Sequence, residues 1–208
     1  MSDRKTKGYM EKVLFIDCET SGLAFNSPDP SFNSETGETY QAVSWGMIVA
    51  NARTLEPVDT LYVEIKWNGV SVWSESAQRV HGLSLAYLEE HGLTEEEAVV
   101  QIAELILKHW GPDSSVAVGG HNVATFDLQF LRRLLTSYGI DVRFSNRTID
   151  TFSIGFGTLG TFNSDDLFDA IGLPPRDPEH HNALADADSA RRVVQTLRRL
   201  VSHCIGGE

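Results

Sequence analysis

The clearest hydrophobic pattern lies near the N-terminus, where Val13-Leu14-Phe15-Ile16-Asp17-Cys18-Glu19-Thr20-Ser21-Gly22-Leu23 begins apolar and gains acids along its length. A β-strand sends successive side chains to opposite faces, so Val13, Phe15, Asp17 and Glu19 share one face and Leu14, Ile16 and Cys18 the other. Strand patterns resume at 42–50 and 60–66, separated by a turn-forming Asn-Ala-Arg-Thr-Leu-Glu-Pro stretch, and three strands in succession predict an antiparallel meander. The polar segment 26–39, rich in Ser, Asn, Pro and Gly, reads as a loop. The period then changes. Ala98, Ile102, Leu105, Ile106 and Trp110 recur at three and four, predicting a helix over 95–110. A short apolar strand at 115–119 passes through Gly-Gly-His-Asn into a helix from about 123 to 138. Another short strand is expected at 147–150, and a long helix from 183 to about 203 with Asn182 as its cap. Strands first and αβ units afterwards predict one α/β domain, a mixed β-sheet flanked by α-helices. Neither an internal repeat nor an interdomain linker interrupts it.

Composition narrows the picture. At 208 residues, 41% of them hydrophobic, the chain can bury a core without disulfides. The expected domain covers 13–203, with tails at 1–12 and 204–208. Lys and Arg total 17 against 29 Asp and Glu, a net charge of -12 that opposes long-range attraction to nucleic acid. Such a substrate must be gripped locally, with bound cations supplying positive charge. Two cysteines, Cys18 and Cys204, make no disulfide framework and fit a reducing compartment. With no signal-peptide pattern and no membrane-length apolar run, the expectation is a soluble cytoplasmic protein without a membrane partner.

The acids carry the chemistry. Asp17 and Glu19 sit side by side on one strand face, and like charges that close repel unless a cation or a shared proton compensates them. A strand end opening into solvent would hydrate both acids and needs no metal. In the helix after 123, Val123, Asp127, Phe130 and Leu134 are spaced four, three and four, which puts Asp127 in the stripe that faces the core. In the last helix Ala183, Ala187, Ala190, Val194, Leu197 and Val201 define the inward stripe, widened by Val193 and Leu200, with Asp186 at its edge. Asp188 points away, as a solvated acid that also suits the helix N-terminal dipole. Ion pairs with Arg132 or Arg191 are the alternative for Asp127 and Asp186. Four carboxylates from one strand and two helices, converging at one sheet end, make a hard oxygen site suited to Mg²⁺ or Mn²⁺. His181, five residues before Asp186, can take a proton from water near neutral pH, and His180 is its rival.

These residues together resemble a known family. Asp17-Cys18-Glu19-Thr20-Ser21-Gly22-Leu23 is similar to the first motif of the DnaQ-like, or DEDDh, 3′–5′ exonucleases of the ribonuclease H-like superfamily. His121-Asn122-Val123-Ala124-Thr125-Phe126-Asp127 resembles the second motif, and His181-Asn182-Ala183-Leu184-Ala185-Asp186 the third. Val80-His81-Gly82-Leu83 and the Asp150-Thr151 pair also resemble stretches found near those places in the family. The resemblance implies that Asp17, Glu19, Asp127 and Asp186 hold two Mg²⁺ or Mn²⁺ ions and that His181 is the general base. It further implies that Thr20 and Leu23 contact the terminal nucleotide, that Asn122 and Phe126 line its pocket, and that nucleoside 5′-monophosphates leave a free 3′ end. The chain departs from many relatives at 26–39, either a flap over the substrate or a tolerated surface insertion.

Other readings differ in class. Gly155-Phe156-Gly157-Thr158-Leu159-Gly160 spells a dinucleotide fingerprint, but Asp-Thr-Phe-Ser-Ile rather than an apolar strand precedes it, and a Pro-rich loop stands where a second strand ending in an acid is needed. A binding module that kept the fold and lost catalysis would not need all five polar site residues. A proofreading subunit working beside a polymerase would explain an acidic surface that recruits no substrate alone. The arginine pairs Arg132/Arg133, Arg191/Arg192 and Arg198/Arg199 serve either solvation or phosphate binding, and Phe126 or Trp73 can stack bases. Single-stranded or short substrates suit the acidic balance, with DNA placed slightly ahead of RNA although no residue reads the 2′-hydroxyl.

Overall fold

Four consecutive fully buried side chains, Val13 to Ile16, make β1 (Lys12–Thr20) the central strand of the structure, a computed structural model that describes residues 10–25, 27–161, 163–175 and 181–205. A strand buried on both faces must carry apolar residues at even and odd positions, and this one does. β2 (Ala42–Asn51) runs antiparallel beside it, with Asp17 opposite Gly46, and β3 (Pro57–Glu64) pairs antiparallel with β2 at the sheet edge. β3 opens on Pro57, as suits an edge strand. β4 (Val118–Gly120) and β5 (Ile149–Asp150) extend the other side in parallel, giving the order β3-β2-β1-β4-β5. The meander and the mixed sheet are thus as the pattern predicts.

Helices cover both faces. α3 (Glu95–Trp110), opened by a Thr94/Glu97 capping box, and α4 (Asp127–Ser137) pack on Leu14, Ile16 and Cys18. α7 (Ala183–Ile205) lies across the opposite face, where Ala187, Ala190 and Val194 meet Val13 and Phe15. Among the described residues four shorter helices complete the domain: α1 (Glu75–His81), α2 (Leu85–His91), α5 (Thr151–Leu159) and α6 (Ser164–Ala170). The periodicity of the sequence predicts none of the four. Among the described residues no helix is long and apolar enough to cross a membrane.

Some expectations need correction. α4 begins at Asp127 rather than near 123, so Asp127 opens the helix instead of sitting in its second turn. The inward stripe of α7 stops at Leu197, because Leu200 and Val201 are 51% and 49% exposed. Asp188 is not simply hydrated: the Arg191 guanidinium grips it at 2.6 and 2.8 Å. The Gly155–Gly160 stretch lies in α5 and its C-cap, so its backbone N–H groups serve the helix rather than forming a phosphate loop. The described part of the 26–39 segment is packed at its base. Ser31 is fully buried, Ala24 N–H donates to the Pro30 carbonyl (2.8 Å), and Phe32 bridges Thr39. From α4, Arg133 sits 5.0 Å over the Phe32 ring and 3.8 Å from the Asp29 carboxylate.

Candidate active site

The site begins where neighbouring strands stop. Leu14 N–H donates across to Ala117 (2.9 Å), so the N–H groups of even-numbered β1 residues point toward β4, whose pairing with β1 reaches only Phe15–Gly119. Beyond that point the Cys18 N–H has no strand partner. Asp127 supplies one: its Oδ1 accepts the Cys18 N–H at 2.9 Å in a fully buried position. A carboxylate at the first residue of a helix also suits the positive end of the helix dipole. Burial nevertheless pushes its carboxyl up to about 7. Burial, followed by the charge of Asp127 and Asp17, pushes the Cys18 thiol well above its ordinary value, so Cys18 stays protonated.

On the other sheet face the first turn of α7 rests directly on β2. Gly46 makes this possible: a Cβ there would lie 2.2 Å from the Ala183 carbonyl carbon and the Leu184 nitrogen. Asn182 caps the helix, its Oδ1 accepting from Leu184 N–H and Ala185 N–H, both at 3.1 Å. His181 is pinned just before it by its own N–H, which donates to the Val80 carbonyl at the end of α1 (3.0 Å). Asp186, one turn in, thereby comes beside Glu19; each is only 8% exposed. Ligand atoms of Glu19, His181 and Asp186 all lie within 4.8 Å of one another, with His181 Nδ1 at 3.8 Å from Asp186 Oδ2. Asp17, half-buried and two residues before Glu19, and Asp127, engaged with Cys18, stand outside that cluster at the same sheet end. The rival His180 lies outside the described residues.

The four residues expected to hold a nucleotide are placed unequally. Thr20 is buried at the end of β1 and Leu23 is half-buried just beyond it. Asn122 is exposed with φ +56°, a left-handed conformation that Asn tolerates well. Its N–H donates to Asp150 Oδ1 (3.0 Å) and its Oδ1 accepts from the Thr125 hydroxyl (2.7 Å). Phe126 is partly buried against Phe130, ring centroids 5.3 Å apart. The Asp150-Thr151 pair is a brace: Asp150 caps α5 through Phe152 N–H while holding Asn122, and the Thr151 hydroxyl is 3.0 Å from His121.

Sequence reasoning passed over two supports. Gly46 was legible, since a glycine inside a strand marks a close backbone approach. The other is the structural part played by His81, the last residue of α1, buried with its ring edge-on to Trp73. Its Nδ1 accepts the Leu83 N–H (3.0 Å). Burial lowers its pKa to about 4, so it stays neutral near pH 7.

No family model matches the chain, and no curated protein matches it by sequence. Solved structures do match. The zinc-bound Escherichia coli Exonuclease I–ssDNA complex superposes with a TM-score of 0.71 at 14% identity, over 92% of this chain and 41% of that one. The nuclease domain of 3′hExo, a DEDDh family member bound to rAMP, matches at TM-score 0.68 and 15% identity over 94% of both chains. Exonuclease I from Methylocaldum szegediense matches at TM-score 0.68 and 18% identity, over 90% of this chain and 40% of that one. The chain thus has the ribonuclease H-like fold of these exonucleases and spans about two-fifths of the Exonuclease I chains.

Proposed function

We propose that this chain is a divalent-metal-dependent 3′–5′ exonuclease that releases nucleoside 5′-monophosphates from single-stranded or short nucleic acid. The observation that carries this reading is the convergence of Glu19, His181 and Asp186 within 4.8 Å, at the sheet end where Asp17 and Asp127 also lie. The donor set fits the cofactor. Nearly buried carboxylates beside an imidazole are costly without a cation and offer the hard donors that Mg²⁺ or Mn²⁺ prefers. Asp17, Glu19, Asp127 and Asp186 would hold two such ions. Bound there, they would lower the pKa of an attacking water and stabilise the leaving 3′ oxygen.

His181 acts as the base. Its Nδ1 lies near Asp186, which leaves Nε2 to take the water proton, and its side chain is 36% exposed and so reachable. As the water oxygen bonds to phosphorus, the bond to the 3′ oxygen breaks in line. Thr20 and Leu23 position the terminal nucleotide, with Asn122 and Phe126 on its other side. The likeness to proteins solved with ssDNA and with rAMP supports a nucleic-acid substrate without ranking the two sugars; the slight preference for DNA belongs to the proposal.

The test is hydrolysis of matched 5′-labelled DNA and RNA oligonucleotides with Mg²⁺, Mn²⁺ or EDTA, by wild type and Asp17→Ala. A metal-dependent ladder shortening from the 3′ end, absent in the variant, is expected. Equal activity in EDTA, or an undiminished Asp17→Ala enzyme, refutes the assignment.

A further inference from the structure

The last of the three arginine pairs lies well away from the site. Arg198 and Arg199 lie twelve and thirteen residues beyond Asp186 on α7, so Arg198 is about 18 Å along the helix axis from the carboxylates. There they meet Arg53 from the β2–β3 turn around an open groove of about 670 Å³. Its floor is aliphatic: Ile154, Val194, Leu197 and the half-exposed Val201. His203 joins the rim. In a chain of net charge -12 this is a local inversion of sign.

The groove is held in shape. Arg198 Nη1 donates to the Ala52 carbonyl (2.7 Å), and buried Arg191 donates to the Leu55 carbonyl (2.6 Å). Leu55 takes φ +60°, a conformation costly for a branched side chain, and is fully buried. The nearby acid Glu56 is already engaged by Gln195 (2.8 Å) and lies 3.9 Å from Arg199.

We propose that this groove docks a short acidic segment of a partner protein, in which Asp or Glu residues flank an aliphatic or aromatic anchor. The apolar floor takes the anchor, and the arginine rim takes the carboxylates. Charge complementarity selects this occupant over a second copy of an acidic chain. Nucleic acid fits less well, because among the described residues no Phe, Tyr or Trp lines the groove to stack a base. The inference does not depend on the exonuclease reading, since the groove and the carboxylates lie at opposite ends of the sheet.

The experiment is display selection of random dodecapeptides on the full chain, followed by anisotropy titration of the enriched peptides and of labelled (dT)12. Enrichment of acidic peptides with an apolar anchor is expected, binding at least tenfold more weakly to Arg53→Glu/Arg199→Glu and to Val201→Asp. Both variants should keep wild-type melting behaviour and oligonucleotide hydrolysis. The proposal is overturned if no peptide enriches, if enriched peptides lack acids, or if they bind both variants as tightly as wild type. Competition by (dT)12 would reassign the groove to nucleic acid. A dimer dissociated by the charge reversal would reassign it to a second copy.

Discussion

Replacing Gly46 with Ala tests how closely the candidate site depends on backbone contact. The new Cβ would sit 2.2 Å from backbone atoms of Ala183 and Leu184, where ordinary contact begins at 3.4 Å, so the two backbones must separate by 1.2 Å (3.4 − 2.2). Neither side yields easily. β2 is locked between β1 and β3, and α7 is held on β1 by Ala187 and Ala190, so the displacement falls on the first turn, which carries Asp186 next to His181. Overpacking of this kind costs about 1–3 kcal/mol, or roughly 2–4 °C in Tm per kcal/mol for a chain of this size. A misplacement of about 1 Å in a reacting constellation costs on the order of 100-fold in rate. The assay is oligonucleotide hydrolysis across a Mn²⁺ titration, with a thermal melt alongside. The folded variant should lose about 100-fold in kcat and require more metal. Gly157→Ala, where the added methyl meets nothing within 4 Å, serves as the control and should match wild type. A Gly46→Ala enzyme within threefold of wild type, with unchanged metal dependence, would refute the reasoning.

Three further outcomes follow from the same geometry. His181→Ala should slow hydrolysis and flatten its rise between about pH 5 and 8, whereas His180→Ala should not; the reverse result in a pH–rate profile would reassign the base. Asp127→Ala strands the buried Cys18 N–H and should cost about 1–3 kcal/mol in urea unfolding, while Asp127→Asn keeps an acceptor, folds normally and is inactive. For His81 the folded pKa of about 4 lies below the ordinary 6.5, so the unfolded chain takes up the proton first as pH falls. The stabilisation is complete above pH 6.5 and is lost between 6.5 and 4, amounting to at most about 3 kcal/mol. Unfolding free energies of wild type and His81→Gln should converge across that window, and parallel curves would contradict it.

Much of this was readable in one dimension because it depends on period. The alternation in β1 puts Val13 and Phe15 under α7 and Leu14 and Ile16 under α3 and α4, and the same alternation turns Asp17 and Glu19 toward α7. Asn182 was readable as a cap, and Asp186 as an acid at the edge of a buried stripe. What escaped depends on partners distant in sequence. α1, α2 and α6 span seven residues each, too few turns for an apolar period to stand out, and owe their starts to Ser74, Ser84 and Asn163 caps. α4 starts late because Asp127 is drawn to an N–H exposed by the early end of β4, which no local pattern in 123–138 encodes. Arg191 reads as a partner for Asp186, yet it pairs with Asp188 and reaches the β2–β3 turn 136 residues away. The base of 27–39 reads as a solvated loop because its anchor, Arg133, lies a hundred residues on.

The placement of Asp186 on the last helix has a consequence for the chain while it is being made. β1, with Asp17 and Glu19, precedes α7 in the chain, and its Val13/Phe15 face lacks most of its cover until α7 arrives. A nascent or prematurely ended copy therefore exposes an apolar strand face that chaperones and proteases recognise, and it lacks the carboxylate that completes the cluster. The cover of the strand face and the complete Glu19–His181–Asp186 cluster thus appear in the same docking event.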